Sequence, residues 1–398
     1  MADRNIAFTD LELSGIIKVS IRGYLLDKSE LVEVYNMLRF NKALKVIRNI
    51  LLILMGIIVI GMGVMFIVHH NMISNERAML EDNGYINLVS AGDYNLNVYC
   101  YGADNPEHTL VGISGLGVND FSIGMKYSLN GLKQDNRIVF IDRAGYGYSD
   151  DTKTKQSVEQ VVSDYRTALS NVGVKPPYVL MPHSYGGVYA TYWESMYPDE
   201  IEGAIFIDTS ELGIDVWDEN EYSVGMAEQF EVFLCKFGLQ RFVLRDYCYE
   251  LNSLYSEDDQ KVSDSLNIYS LATNAKLSEM SGMNENTYKA YNSIIANNIP
   301  KIYISANSGF TTEEEAKEYS KWLQNRQVEV GLEISKTPSI YDKFLSSCEE
   351  WRNSKIKPYI DKLGNTELVL LPGDHMIFEQ RPDDLTKVIK EYLESFDD

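Results

Sequence analysis

Ser184 stands in the string Met181-Pro182-His183-Ser184-Tyr185-Gly186-Gly187, between an apolar run and a helical pattern. A strand that turns sharply into a helix, with serine at the turn, presents a hydroxyl at the sheet edge as a nucleophile. That hydroxyl is weak at neutral pH and needs a base within hydrogen-bond reach. The chain has five histidines, His69, His70, His108, His183 and His375, and only His375 follows the serine. It closes the string Leu370-Leu371-Pro372-Gly373-Asp374-His375, just past the last apolar run. If the strands are parallel, base and nucleophile share one sheet edge. His183 adjoins the serine, but neighbours at a tight turn point apart, so it is read as a structural or pocket residue.

A carboxylate must hold the imidazole in the right tautomer. Asp208 ends the run Ile205-Phe206-Ile207-Asp208 and emerges at the same edge. The loop after the next run, Ala306-Asn307-Ser308-Gly309, offers no acid before Glu313. Asp208 is the expected acid. The alternatives are one of Glu313, Glu314 and Glu315, or Glu211, or no acid at all. Acyl transfer also needs backbone N–H groups aimed at a developing oxyanion. Ser114-Gly115-Leu116-Gly117 follows an apolar run and supplies one donor, expected at Leu116 with Gly115 as the neighbouring option. Tyr185 supplies the other. Gly112, Gly115 and Gly117 do not have the G-x-G-x-x-G spacing of a dinucleotide loop. No cofactor and no metal site is expected.

These residues need a scaffold. Apolar runs at 94–101, 110–114, 137–142, 178–182, 203–208, 301–305 and 368–371 predict strands, several buried on both faces. Helical patterns lie at 157–172, 186–197, 313–326 and 383–396. Such alternation predicts an α/β fold, a mostly parallel sheet flanked by helices. The long gap from 208 to 301 includes the aromatic-rich stretch 230–249, and predicts a helical cap insertion at about 213–299.

Residues 50–68 carry no charge over nineteen positions. As a helix they span roughly 28 Å, about a bilayer core. Arg39, Lys42, Lys45 and Arg48 precede the run, and only Arg77 follows within twenty residues. The positive-inside rule then places 1–49 in the cytoplasm and the hydrolytic domain, 80–398, outside a cell membrane crossed once. Gly56, Gly61 and Gly63 lack G-x-x-x-G spacing, so helix pairing is not indicated. The formal charge is −22, and an acidic chain is no partner for nucleic acid. Outside the cell disulfides persist, and Cys235 with Cys248 is the favoured pair among Cys100, Cys235, Cys248 and Cys348, against four free thiols.

Four segments together resemble the α/β-hydrolase family: Ser114-Gly115-Leu116-Gly117, the run Asp142-Arg143-Ala144-Gly145-Tyr146-Gly147-Tyr148-Ser149-Asp150, the elbow around Ser184, and Gly373-Asp374-His375. With Pro182 in place of the first elbow glycine, the chain resembles membrane-anchored serine hydrolases of Gram-positive bacteria. Family epoxide hydrolases and haloalkane dehalogenases use Asp where Ser184 stands. Some family lipases place the acid after the sixth strand, as Asp208 would be. The resemblance implies acyl transfer to water through an acyl-serine and names no substrate; the leading reading is a membrane-tethered hydrolase of a small-molecule carboxylic ester or acyl substrate. Two other readings are an aminopeptidase-type serine peptidase of the same fold, which an acidic pocket near Asp215, Asp218, Glu219 and Glu221 would favour, and a non-catalytic surface protein with a decayed hydrolase fold.

Overall fold

The computed structural model describes residues 19–21, 24–26, 28–213, 223–243, 254–325 and 338–396. The chain divides into two units, residues 1–68 and 69–398. In the first, β1 (Val19–Ile21) and β2 (Tyr24–Leu26) form an antiparallel hairpin. The helix Lys28–Asp82 begins in this unit and is long and apolar enough to cross a membrane. None of its most apolar stretch is buried. Helical backbone bonds satisfy their own polar groups, which is what lets such a run shed water.

The second unit is built on an eight-stranded sheet in the order β10-β9-β8-β7-β5-β6-β4-β3. Its strands are β3 (Leu88–Ser90), β4 (Asn95–Gly102), β5 (Thr109–Ile113), β6 (Arg137–Ile141), β7 (Tyr178–Pro182), β8 (Ile201–Ile207), β9 (Lys301–Ser305) and β10 (Thr366–Leu370). From β6 to β10 every neighbouring pair is parallel; β4 and β3 close the other edge antiparallel. Successive strand residues serve opposite faces. Val111, Leu180, Phe206 and Tyr303 enter one core with the helices Val158–Asn171, Gly186–Met196 and Lys357–Leu363. Leu110, Val179, Ile205 and Ile302 enter the other, with Phe121–Leu129 and Pro382–Glu394. Two covered faces explain why β5, β7 and β9 are buried at every residue.

Between β8 and β9 the described residues form the helices Met226–Cys235, Gln240–Val243, Glu257–Tyr269, Asn274–Ser281 and Met283–Ser293. Between β9 and β10 lie Glu313–Asn325, Pro338–Trp351 and Lys357–Leu363. Cys235, half of the favoured disulfide, is a free thiol, and Cys248 lies outside the described residues; Cys100 and Cys348 are free thiols too.

The crossing of β5 by the helix after β7 tolerates no side chain. A Cβ added to Gly186 would sit 2.3 Å from the Ile113 carbonyl oxygen and 3.0 Å from that of Ser114. Both are backbone and cannot swing aside. Gly186→Ala is therefore expected to cost about 1–3 kcal/mol, read as a lower urea midpoint at unchanged slope.

Candidate active site

The strand β7 runs one residue past its end. The His183 amide donates to the Ile113 carbonyl at 2.9 Å, and the Ser184 amide to the Ile207 carbonyl at 3.3 Å. The helix starts at once, with the Gly186 and Gly187 amides returning to the carbonyls of His183 and Ser184. Ser184 absorbs the reversal at φ +52°. A non-glycine residue held there costs about 1–2 kcal/mol, offset here by bonds on both sides. The turn closes against Gly115, where a Cβ would lie 2.8 Å from that of Ser184.

Asp208 follows β8 and is also strained, at φ +42°. Its carboxylate is held on both oxygens. Oδ1 accepts from the amides of Ala306 at 2.7 Å and Asn307 at 3.2 Å, just past β9. Oδ2 lies 2.7 Å from Nδ1 of His375, in the loop after β10. The ends of three adjacent parallel strands thus meet at one carboxylate. Burial opposes charge on His375, but the bond and negative charge of Asp208, with Asp374 and Glu211 further off, outweigh it and raise the imidazole above its ordinary 6.5.

His183 packs between Phe121, with rings stacked 5.7 Å apart, and Phe378, edge-on at 5.1 Å. Its Nε2 is 3.0 Å from the His375 carbonyl. A carbonyl only accepts, so Nε2 carries the proton. Burial, with His375 nearby, pushes His183 down to about 3, so the ring is neutral. It holds the His375 backbone, and its ring lies 4.6 Å from the His375 ring. Three other candidate carboxylates bond to other groups. Glu313 pairs with Lys317, Glu315 accepts from the Thr311 and Thr312 amides, and Glu211 accepts from Trp351 Nε1 and Tyr303 hydroxyl. Glu314 is exposed at the start of its helix.

The amides of Leu116 and Tyr185 have no protein acceptor among the described residues. The loop carrying Leu116 is fixed by Arg143, a residue the sequence reading quoted in a motif without assigning it a task. Its guanidinium donates to the Ser114 carbonyl at 2.6 Å, the Ser114 hydroxyl at 3.0 Å and the Gly115 carbonyl at 3.0 Å. Arg143 is buried, and its Nε forms an ion pair with buried Glu279 at 3.0 Å. Glu279 also accepts from the hydroxyls of Tyr146 and Tyr189. Lys276, one turn earlier on the same helix, is buried against Asn119 and the Ser270 carbonyl, and burial pushes it down to about 7. So a helix of the 208–301 insertion supplies the counter-charge for the arginine that fixes the 114–117 loop.

A cavity of about 360 Å³ opens beside His375 and Asp208. Its wall includes Thr209, Glu211, Phe344, Cys348 and Trp351. Ser184 does not line it. Phe344, Cys348 and Trp351 come from a helix absent from the sequence reading. The signal was present: Tyr341, Phe344, Leu345 and Cys348 recur at helical spacing and pack with Phe310. Asp215, Asp218, Glu219 and Glu221 lie outside the described residues.

Removing one partner of a buried ion pair strands the other charge. Glu279→Leu leaves Arg143 uncompensated and two tyrosine hydroxyls without an acceptor. It is expected to cost about 3–5 kcal/mol, measured by urea unfolding against the parent chain.

Comparison with known proteins places this geometry in a family. The chain is 35% identical to the uncharacterized protein YbdG of Bacillus subtilis over 164 residues, 41% of this chain and 49% of that one. It thus spans about half of that relative's length. Among solved structures it resembles Cfl2 from Burkholderia cenocepacia, at 14% identity and TM-score 0.51 over 77% of this chain and 94% of that one. It also resembles the haloalkane dehalogenase DatA from Agrobacterium tumefaciens C58, at 13% identity and TM-score 0.51 over 78% and 96%. At such identities the likeness is one of fold. A family model described as the alpha/beta hydrolase fold matches residues 108–382, and the chain belongs to that family.

Proposed function

We propose that the protein is a membrane-anchored serine hydrolase that cleaves a carboxylic ester through an acyl-serine. Ser184 is the nucleophile, His375 the general base and acid, and Asp208 the orienting acid. His375 Nε2 takes the Ser184 proton as Oγ bonds to the ester carbonyl carbon. The Leu116 and Tyr185 amides receive the oxyanion. On collapse the alkoxide leaves with the proton from His375. Water then repeats the sequence on the acyl-serine and releases the acid.

The observation that carries this reading is the 2.7 Å contact between Asp208 and His375 Nδ1, with the second Asp208 oxygen fixed by two amides. That arrangement directs Nε2 away from the acid and free to act as a base. The dehalogenase likeness does not extend to the nucleophile position, which is serine here. The apolar helix and the basic residues before it support a single-pass anchor with the hydrolase domain outside the cell.

A fluorophosphonate probe is expected to label Ser184 of the folded wild-type chain and to leave Ser184→Ala unlabelled. Absence of wild-type labelling would remove the hydrolase reading. The pH profile carries a second test. The base works when neutral, and Asp208 stabilises the charged form, so kcat/KM should rise with pH through a midpoint above 6.5. Asp208→Asn removes that stabilisation. It should move the midpoint down and lower kcat by about 10⁴-fold.

One observation favours the peptidase reading: Glu211 lines the cavity beside His375, and no Lys or Arg among the described residues does. A carboxylate there suits a substrate α-amine. Turnover of p-nitrophenyl esters against aminoacyl anilides separates the two, and faster ester cleavage is expected.

A further inference from the structure

The helix Met226–Cys235 has two apolar sides. Val232 faces the core and is buried. Met226, Phe230 and Phe233, at i, i+4 and i+7, form a separate stripe and stand 88%, 57% and 45% exposed. Phe242, on the next helix, is 67% exposed. Isolated exposed apolar residues mean little, but Phe230 and Phe233 stack with ring centroids 6.0 Å apart and Phe233 meets Phe237 at 5.0 Å, so these side chains form one patch that runs toward the second helix.

The second of these helices is anchored close to residue 69. Arg241 donates from both terminal nitrogens to Glu76, at 2.8 and 2.7 Å, and from Nε to His69 Nδ1 at 2.9 Å. The His69 ring accepts that bond, so it is neutral; burial and the Arg241 charge push it down to about 4. Packing here is tight: a Cβ on Gly238 would lie 2.6 Å from that of His69. His69 is the residue bonded to Val68, the last of the uncharged apolar run. Whatever surface that run ends at, Arg241 is fixed one residue from it, and Phe242 is the next residue along.

We infer that the aromatic patch formed by Met226, Phe230, Phe233 and Phe242 lies in the membrane interface, seated among the acyl chains and headgroups of the outer leaflet. The inference rests on residues 50–68 crossing a bilayer, and not on the catalytic assignment. Phenylalanine on the apolar face of a surface-lying helix seats at the boundary of headgroups and acyl chains. The lipid is zwitterionic rather than anionic, because Glu228 and Glu231 stand on the same helix and the chain is strongly acidic.

The test uses the wild-type full-length chain in phosphatidylcholine vesicles that contain a phospholipid with a diazirine on its acyl chain. After irradiation and digestion, mass spectrometry should find lipid adducts within 226–242 as well as within 50–68, and none in the helix Pro382–Glu394. In F230S/F233S/F242S the 226–242 adducts should fall several-fold, with those in 50–68 unchanged. Adducts confined to 50–68 would overturn the inference, as would 226–242 adducts indifferent to the triple substitution. An added bifunctional diazirine cross-linker that joins 226–242 of two copies, with no lipid adducts there, would assign the patch to a second copy and overturn it too. No adducts in 50–68 would remove the membrane reading on which it stands. Fluorophosphonate labelling of the same vesicles reports on the hydrolase reading separately.

Discussion

The Asp208 carboxylate ties together three chain segments at this edge, where the amides of Asp208, Leu371 and Gly373 also bond to the carbonyls of Ile304, Ser305 and Ala306. It emerges from β8, takes two amides just past β9, and meets an imidazole just past β10. Because those strands are parallel and adjacent, their C-terminal ends fall at one level, and the bonds need no long excursion of the chain. The cost is local. Asp208 sits at positive φ and its side chain is largely buried, so a charged group is held away from water in a strained backbone. Charge-assisted bonds on both oxygens compensate, each roughly twice as strong as a neutral one. A side chain without two acceptor oxygens could not make both sets at once.

A second buried charge supports the loop that carries Leu116. Arg143 makes three bonds to the Ser114–Gly115 backbone and side chain, which fixes the direction of the following amide. An arginine at 2% exposure is tolerable only with a counter-charge, and that comes from Glu279, more than a hundred residues later. The helix Asn274–Ser281 is thereby tied electrostatically to the sheet edge. A shift of this helix would unpair a buried ion before it altered the loop. The geometry favours a fixed Asn274–Ser281 helix, with any opening for substrate falling elsewhere.

Much of this was legible in the sequence, for a physical reason in each case. Strands β7 and β9 were read at their observed bounds, because a strand covered on both faces is an uninterrupted apolar run. The meeting of Asp208 with His375 followed from strand parallelism and from the scarcity of histidine. The helix Phe121–Leu129 was not read, since Gly124 and two serines blur its pattern. Gly124 is required there: a Cβ would strike Phe378 at 2.5 Å, a contact that no local window contains. Glu279 was missed for the same reason. Its sequence surroundings are those of a solvent-facing helix, and only folding brings Arg143 to it. The favoured pairing of Cys235 relied on closeness in sequence, which says nothing of direction in space.

The fold leaves the chemistry to the side chain at the elbow. A carboxylate nucleophile suits displacement at a saturated carbon and puts little negative charge on a carbonyl oxygen. A serine attacks a carbonyl, and the charge then appears on that oxygen, so donors must stand ready for it. At this elbow serine coincides with two amides, Leu116 and Tyr185, that have no acceptor of their own among the described residues, and with a buried arginine that fixes the loop carrying one of them. An unpaired amide pair beside a strained serine is costly to keep unless something binds there. On the proposed reading a transient oxyanion would take these two amides, which is the charge that acyl transfer develops and displacement at a saturated carbon does not.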